Sequence, residues 1–440
     1  VILQIAGVSL RQLLLGADSS SVSAPTPTIM LRRKYRQGPI DEDEVTFSGT
    51  EAVRQYVDGL SSLLVDRDLL GERELAAAVK LVENGQYCDA DAMSTKLLQS
   101  ETGEKSALLR SALYLIKGDA MFNLGLFAKA EEYYAESHSL ARQISNDSLM
   151  TLSSLGIGIA RADQGNSNEA LKIFDQILEN HPRYSAAWVN KGVALDELGR
   201  KDEALSAFDE AIRLTPDLAE AWINKGANLI SSGSYDRALH ALDESIRLNP
   251  LHPASWHNKG VALGRLGKYN EALSAYREAL RLDPGKTNAM YNLGVTLIRL
   301  GKSEEALLEF DRVTKLDRGN INAWINMGVT LNDLGKHLEA LRCIEEAIRL
   351  DQTVSISWVN KGSILYDMGR YDEALTAYEQ ALRLNPHQTE ALYGRAHAFL
   401  MIGARNKACE EIRRLLEIDP NLQDARDLAL AIRKGSPIRV

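Results

Sequence analysis

The sequence predicts an all-α protein, a solenoid of stacked helical hairpins. One observation is a strict repeat between residues 151 and 422, in which the spacing of a recurring alanine is always 34 residues. A second is helical spacing of apolar and small residues in both halves of each unit. A third is the placement of residues that end helices: glycine lies between the two halves, and in several units proline follows the second half. The recurring alanines are Ala170, Ala204, Ala238, Ala272, Ala306, Ala340, Ala374 and Ala408.

The first half of the unit is predicted to be a helix. We number the unit from Ser185, so that Trp188 is position 4. Trp188, Gly192 and Leu195 (positions 4, 8 and 11) then fall within a narrow arc at 100° per residue. Gly199 follows, and because glycine adopts positive φ without a steric penalty, the first helix is expected to end there.

The second half is predicted to be a second helix that ends before Pro216, since proline cannot continue a helix. One hairpin cannot bury its own apolar face, so successive units must stack. The residues that repeat at helical spacing in this half are Ala204, Leu205, Phe208, Ala211 and Leu214.

All five tryptophans of the chain occupy position 4, which favours packing over binding a ligand. Glycine at position 8 and alanine at position 20 let the two helices approach closely. We therefore expect the indole rings to fill the space beside them as core wedges. The five are Trp188, Trp222, Trp256, Trp324 and Trp358.

A 34-residue unit with Trp, two Gly, Ala, an aromatic residue and Pro at these offsets resembles the tetratricopeptide repeat. The resemblance implies a right-handed α-solenoid superhelix whose first helices line a concave groove. With the units placed in this way, the chain is predicted to consist of four parts. They are an N-terminal arm (1–47), degenerate repeat-like helices (48–150), eight regular units (151–422), and a capping helix with a tail (423–440). Six extra residues at 105–110 and at 145–150 are expected to lengthen helices or loops.

The arm has three parts. Residues 1–16 are apolar, and their pattern suits either a helix or a strand. Residues 17–28 are rich in Ser and Pro and resemble a linker. Two charged clusters follow, a basic one at Arg32, Arg33, Lys34 and Arg36 and an acidic one at Asp41, Glu42, Asp43 and Glu44.

Composition excludes several function classes. A net charge of −9 argues against nucleic acid as the main partner. The three cysteines form no CxxC pair, the eight histidines have no metal-ligand spacing, and no catalytic motif is present. We therefore expect no metal, no cofactor, no membrane span and no enzymatic activity. The chain begins with Val1, which is consistent with a cell-surface or extracellular protein if a leader is removed, and with a cytoplasmic one otherwise.

Positions 2, 6, 9 and 13 lie about 140–200° from position 4 and form the face opposite the predicted core. Position 6 is asparagine in six consecutive units, a set that we call the asparagine row. A carboxamide both donates and accepts hydrogen bonds, so a row of them can pair with the backbone of an extended peptide of any sequence. The members are Asn190, Asn224, Asn258, Asn292, Asn326 and Asn360.

The asparagine row resembles the one in the superhelical repeats of O-linked N-acetylglucosamine transferases. The alternative is that the units are recent duplications whose asparagines only solvate a helix face. Two further rows accompany it, with apolar residues at position 9 and charged ones at position 13. They are Val193, Val261, Val295 and Val329, and Arg265, Arg299, Asp333 and Asp367.

Position 7, usually Leu in the family, is Lys in four regular units. We expect an aliphatic stem that covers the neighbouring unit while the ammonium reaches water; an anion-binding lysine row is the alternative. The carboxylate clamp of chaperone adaptors requires Lys at position 5, where this chain has none. The four lysines are Lys191, Lys225, Lys259 and Lys361.

These patterns together predict a non-enzymatic scaffold that holds an extended peptide in its groove. One partner class is the arm of an identical subunit, which would build a head-to-tail filament because a heterologous contact does not close. The other is a different protein, which would make the chain an adaptor similar to a co-chaperone. An enzyme is the third and weakest alternative.

Overall fold

The computed structural model describes residues 70–99, 107–418 and 420–434, and all the regular elements in these ranges are α-helices. They form two compact units, divided between Leu282 and Asp283. The arm with its two charged clusters, and residues 48–69 of the degenerate region, lie outside the described residues. None of the helices in these ranges is both long enough and apolar enough to cross a bilayer.

The first unit runs in sequence order, with each helix packed against the next. The helices α3, α4 and α5, next to the extra residues 105–110 and 145–150, have 17 residues each, whereas the helices of the later regular hairpins have 13 or 14. Its helices are α1 (Leu70–Glu83), α2 (Tyr87–Gln99), α3 (Ala107–Asn123), α4 (Phe127–Gln143), α5 (Asp147–Asp163), α6 (Ser167–Asn180), α7 (Ser185–Glu197), α8 (Lys201–Leu214), α9 (Ala219–Ser231), α10 (Tyr235–Leu248), α11 (Pro253–Arg265) and α12 (Tyr269–Leu282).

The second unit repeats the same arrangement of hairpins and ends on a single helix. Its helices are α13 (Thr287–Arg299), α14 (Ser303–Leu316), α15 (Ile321–Asp333), α16 (His337–Leu350), α17 (Ser355–Asp367), α18 (Tyr371–Leu384), α19 (Thr389–Met401), α20 (Arg405–Ile418) and α21 (Gln423–Lys434).

The hairpin of α7 and α8 shows which residues form the turn and the helix end of a regular unit. Between the helices Gly199 adopts φ 76°, a left-handed conformation that favours glycine. After Leu214, the residue Thr215 leaves the helical region because it precedes Pro216. The turn and the helix end therefore form where the sequence predicts them.

The core of the same hairpin is built around a close approach at Gly192. A Cβ placed on Gly192 would lie 2.5 Å from Cε1 of Phe208, so the Phe208 ring takes the space that the missing side chain leaves. Phe208 and Ala204 are fully buried. The aromatic residue at position 24, rather than the tryptophan, is thus the central wedge of the hairpin.

The prediction that the tryptophans are core wedges needs correction. Trp188 is only half-buried and packs at the edge of the core. Its Nε1 donates a hydrogen bond to the Pro182 carbonyl oxygen at 2.9 Å, and the other four tryptophans make the same bond to the residue six positions earlier. This bond gives the polar N–H of the indole a partner at the edge of the core.

The first helices of successive hairpins also pack against one another inside each unit, as α7 does against α9, and α15 against α17. Together with the hairpin contacts, this confirms the predicted all-α solenoid of helix-turn-helix repeats. The side chains at positions 2, 6, 9 and 13 lie on these first helices, and we call the surface that they form the inner face.

Candidate peptide-binding face

The asparagine row is carried by the first helices of the regular hairpins. In the first unit its members lie on α7, α9 and α11, and in the second unit on α13, α15 and α17. The 34-residue period returns each asparagine to the same turn of an equivalent helix, so within a unit they share one face.

Most of these amides are covered, unlike side chains that only solvate a helix face, which was the alternative interpretation of the row. Asn190, Asn224, Asn258 and Asn292 have exposed fractions of 6%, 4%, 0% and 3%, whereas Asn326 and Asn360 are half-buried. Asparagine is costly in such a position unless its polar atoms find partners. The hydrogen-bond state of each amide therefore matters.

Two amides are tied to their own chain. Asn190 Nδ2 donates to the Ala186 carbonyl oxygen at 2.8 Å, within α7. Asn326 Nδ2 donates to the Tyr291 hydroxyl at 2.8 Å, from α15 to α13.

Two other amides keep an unsatisfied atom. Oδ1 of Asn224 and Nδ2 of Asn292 are buried and have no hydrogen-bond partner. Both atoms are fully covered, so neither is open to a ligand.

The apolar row at position 9 differs between the two units. Val193 and Val261 of the first unit are buried, while Val295 and Val329 of the second unit are half-buried. In the second unit, apolar contact area is therefore available beside the amides.

The charged row at position 13 is exposed at each of the four predicted residues, Arg265, Arg299, Asp333 and Asp367. Asp367 accepts a hydrogen bond from Asn332 Nδ2 at 2.6 Å. Among the described residues, Asp333 and Asp367 form no ion pair, so their carboxylates are available to a cation.

The lysines at position 7 do not form an anion-binding row. Lys225 Nζ lies 2.6 Å from Asp209 Oδ1, a carboxylate of the preceding hairpin, and 5.3 Å from the centre of the Trp222 ring. Lys191, Lys259 and Lys361 make the equivalent pair of contacts. The ammonium groups are therefore engaged between hairpins, where the sequence predicted that they reach water.

Sequence reasoning missed three residues of the inner face. Asn288 and Asn322 occupy position 2, one turn before Asn292 and Asn326, and both are half-buried. The i, i+4 spacing of two asparagine pairs was a visible signal. The third is Tyr291, whose hydroxyl only the structure connects to Asn326.

Asp163 is a further acidic residue at position 13, in the first unit. Burial, and secondarily the nearby Glu197 carboxylate, together raise the pKa of its carboxyl to about 8. Its Oδ2 is buried without a partner. Nothing in the sequence distinguished it from a surface carboxylate.

The described residues contain no cluster of three or more His, Cys, Asp or Glu side chains that could hold a metal ion. The three cysteines are free, and burial raises the pKa of the Cys343 thiol to about 11, which disfavours its reactive thiolate form.

Family models for the tetratricopeptide repeat match residues 155–219, 224–286, 257–321, 321–354 and 362–403, together more than half of the chain. The chain belongs to the tetratricopeptide-repeat family. Its repeats support a role as a protein-interaction scaffold, and members of the family are generally not enzymes. No curated protein matches the chain.

Several solved structures are similar to this tetratricopeptide-repeat chain. YrrB, described as a TPR protein with an unusual peptide-binding site, is 23% identical over 44% of this chain and 99% of its own, with a TM-score of 0.38. The Cut9–Hcn1 complex of the APC/C is 18% identical over 86% of this chain and 87% of its own, with a TM-score of 0.48. A tetratricopeptide repeat protein from Parabacteroides merdae is 17% identical over 57% and 98%, with a TM-score of 0.46.

Proposed function

We propose that this chain is a non-enzymatic scaffold that holds an extended peptide on its inner face. The observation that carries the proposal is the placement of amides beside apolar side chains on the first helices of the second unit, where Asn326 and Asn360 are half-buried. An extended peptide can exchange backbone hydrogen bonds with these amides. Its side chains would contact the half-buried Val295 and Val329.

We further propose that the peptide is the N-terminal arm of a neighbouring identical subunit. The arm carries a basic cluster at residues 32–36, and the inner face of the second unit presents the exposed carboxylates of Asp333 and Asp367, which form no ion pair among the described residues. The acidic cluster at residues 41–44 would then meet Arg299, which lies two hairpins before Asp367. A head-to-tail contact of this kind propagates into a filament.

The asparagine substitutions test the scaffold. We expect N326A/N360A to weaken peptide binding clearly while changing the free energy of unfolding by about 1 kcal/mol, because both side chains are half-buried and one hydrogen bond, from Asn326 to Tyr291, is lost. The probes are a synthetic peptide of residues 17–47 and peptides selected from a random-sequence library on the full chain. Asn270→Ala and Asn406→Ala, at exposed positions of second helices, are the matched controls. Equal binding by N326A/N360A and the parent chain would show that the asparagine row does not bind the peptide.

A charge swap in the full chain tests self-assembly. Replacing Arg32, Arg33, Lys34 and Arg36 by Glu should reduce particle size at low salt, and adding Asp333→Lys with Asp367→Lys should restore it. Deleting residues 1–45 should abolish assembly. If the full chain stays monomeric at high concentration, the arm does not join subunits, and the second candidate, an adaptor for a different protein, takes its place.

A further inference from the structure

The inner face of the second unit changes character at its C-terminal end. At position 6, where the six preceding units carry asparagine, the last unit has Gly394. A Cβ placed on Gly394 would lie 2.5 Å from Cζ of Tyr378, a buried ring of the preceding hairpin, so this position has no room for an amide side chain. Position 9, which is valine at Val295 and Val329, is here His397. The asparagine row therefore ends before α19, and aromatic side chains take its place.

Four rings form a continuous string at this end of the second unit, and we call them the aromatic cluster. The centre of the His397 ring lies 4.6 Å from that of Tyr393 on the same helix and 6.4 Å from that of Tyr366 on α17. The Tyr366 ring in turn lies 5.4 Å from that of Tyr371, at the start of α18. All four side chains are half-buried, so each keeps part of its surface open to solvent.

Three of these rings border the inner face. Positions 5, 9 and 12 lie about 80–140° from position 4 at 100° per residue, and they hold Tyr393, His397 and Tyr366. Asp367, at position 13, is exposed and directly follows Tyr366. A peptide side chain that reaches the Asp367 carboxylate therefore lies beside the aromatic cluster.

The aromatic cluster favours a positive charge. The faces of aromatic rings attract cations, and this chain already contains such contacts where lysine lies over tryptophan between hairpins. Burial, and less so Tyr371 and the Asp367 carboxylate, raises the pKa of Tyr366, so the charge of Asp367 is felt at that ring. Burial also lowers the pKa of His397, so its imidazole is neutral at pH 7 and does not repel a cation.

The two arginines nearest to the cluster in sequence have acidic partners of their own. Arg370 lies 2.6 Å from the Glu373 carboxylate, and Arg395 lies 2.6 Å from that of Glu411. The cation that suits the cluster is therefore one that a ligand brings.

We infer that the aromatic cluster binds an arginine side chain of the peptide on the inner face, with the guanidinium over the rings and its charge beside Asp367. The inference rests on the proposed function and commits to the arm, whose basic cluster contains Arg32, Arg33 and Arg36. Arginine suits this subsite better than lysine, because its planar guanidinium stacks on aromatic rings and is more weakly hydrated than an ammonium. The rings thus add a preference that charge alone does not give.

Two synthetic peptides of residues 17–47 test this assignment on the full chain. One has the natural sequence, and in the other all three arginines of the basic cluster are replaced by lysine, which keeps the charge. We expect the parent chain to bind the natural peptide about 3- to 10-fold more tightly, because the guanidinium stacks on the rings. In Tyr366→Leu/His397→Val the two peptides should bind within about twofold of each other. Other repeats carry Leu400 and Val329 at these positions, so the replacements suit the fold.

Two further variants serve as controls. Tyr366→Phe keeps the ring and removes only a hydroxyl that is covered and unpaired, so it should keep the preference for arginine. Tyr235→Leu should keep it as well, since Tyr235 is the counterpart of Tyr371 at position 17 of a repeat in the first unit. Thermal melting shows whether each variant is folded. If the double variant is not, His397→Val alone removes one ring and should reduce the preference in part.

The outcomes separate the inference from the proposed function. If N326A/N360A weakens binding but the parent chain binds both peptides equally, or the variants without the rings keep the full preference, the inference is wrong and the scaffold stands. If library-selected peptides bind and the natural peptide of residues 17–47 does not, the inference is wrong together with the assignment of the arm. If no peptide binds, or N326A/N360A has no effect, the proposed function fails and the inference falls with it.

Discussion

Lys259 Nζ lies 2.6 Å from Asp243 Oδ1, a carboxylate on the second helix of the preceding hairpin. The same ammonium lies 5.6 Å from the centre of the Trp256 ring on its own helix. Three other lysines at position 7 repeat this arrangement, as described above. In these repeats, the joint between hairpins therefore contains an ion pair and a cation–π contact.

The ion pair between hairpins predicts a salt-dependent coupling free energy between Lys259 and Asp243. A double-mutant cycle of Lys259→Met and Asp243→Asn should give a coupling of about 0.2–1 kcal/mol at low salt, because both side chains are partly exposed. Screening should reduce it at high salt. Methionine is a fitting replacement, since Met327 occupies position 7 of another repeat. The measurement is denaturant unfolding, with the exposed Lys268→Met as control. A coupling that is zero, or that does not change with salt, would contradict the interpretation.

Trp256→Ala should destabilise the chain by about 2 kcal/mol. This is less than the roughly 3–5 kcal/mol of a fully buried tryptophan, because Trp256 is half-buried. Trp256→Phe keeps most of the packing and loses the hydrogen bond from Nε1 to the Pro250 carbonyl, so it should cost about 1 kcal/mol. Hydrogen exchange should quicken in α10, α11 and α12 and hardly elsewhere in the first unit, as expected of a stack of repeats. A loss of protection from hydrogen exchange that is spread evenly over α1–α12 would rule out a local role of Trp256.

Two glycines of α11 give a paired prediction. A Cβ on Gly260 would lie 2.6 Å from Cε1 of Tyr276, so Gly260→Ala should cost about 1–3 kcal/mol through overpacking. On Gly264 the nearest atom to an added Cβ is Tyr276 Oη at 4.0 Å. Gly264→Ala should therefore gain about 0.5–1 kcal/mol from helix propensity. Thermal melting of both variants decides the matter, and equal effects would show that the close approach at Gly260 is unimportant.

The hairpins were predictable from the sequence because their determinants are local. Gly199 and Pro216 set the turn and the helix end within one unit, and the period of Ala204 sets the register. The environment of the asparagine row was not predictable in this way. Whether Asn292 is solvated or covered depends on how successive first helices pack, which a helical projection of one unit does not contain.

The ion pairs of the position 7 lysines between hairpins were predictable only in part. Lys225 and Asp209 are 16 residues apart in different units, so the pattern of a single helix cannot pair them. The sequence did carry a signal, since an Asp or Glu stands 16 residues before each of the four lysines. The hydrogen bond from Asn326 to Tyr291 left no such trace, because it occurs in one repeat and depends on the position of a single ring.

The pH dependence of stability should include a contribution from Asp163. Burial, and secondarily the Glu197 carboxylate, raises its folded-state pKa to about 8, above the value of about 3.9 in an unfolded chain. Between these two values the folded state binds more protons than the unfolded state. This carboxyl therefore makes the free energy of unfolding fall as the pH rises from about 4 to about 8, and its contribution is constant above that range.

Asp163→Asn removes this titration, so the variant should gain stability relative to the parent chain as the pH rises from about 4 to about 8. The comparison is denaturant unfolding of both proteins across this range, with a carboxyl NMR titration of Asp163 as the direct measurement. Glu197→Gln should shift the Asp163 pKa downward only in part, because burial is the larger cause and remains. The Glu197 side chain accepts a hydrogen bond from Ser167 Oγ at 2.7 Å, which glutamine can also accept, so this variant retains the local contact. Parallel stability curves for the parent and Asp163→Asn would show that Asp163 ionises normally and that its carboxylate is reached by water.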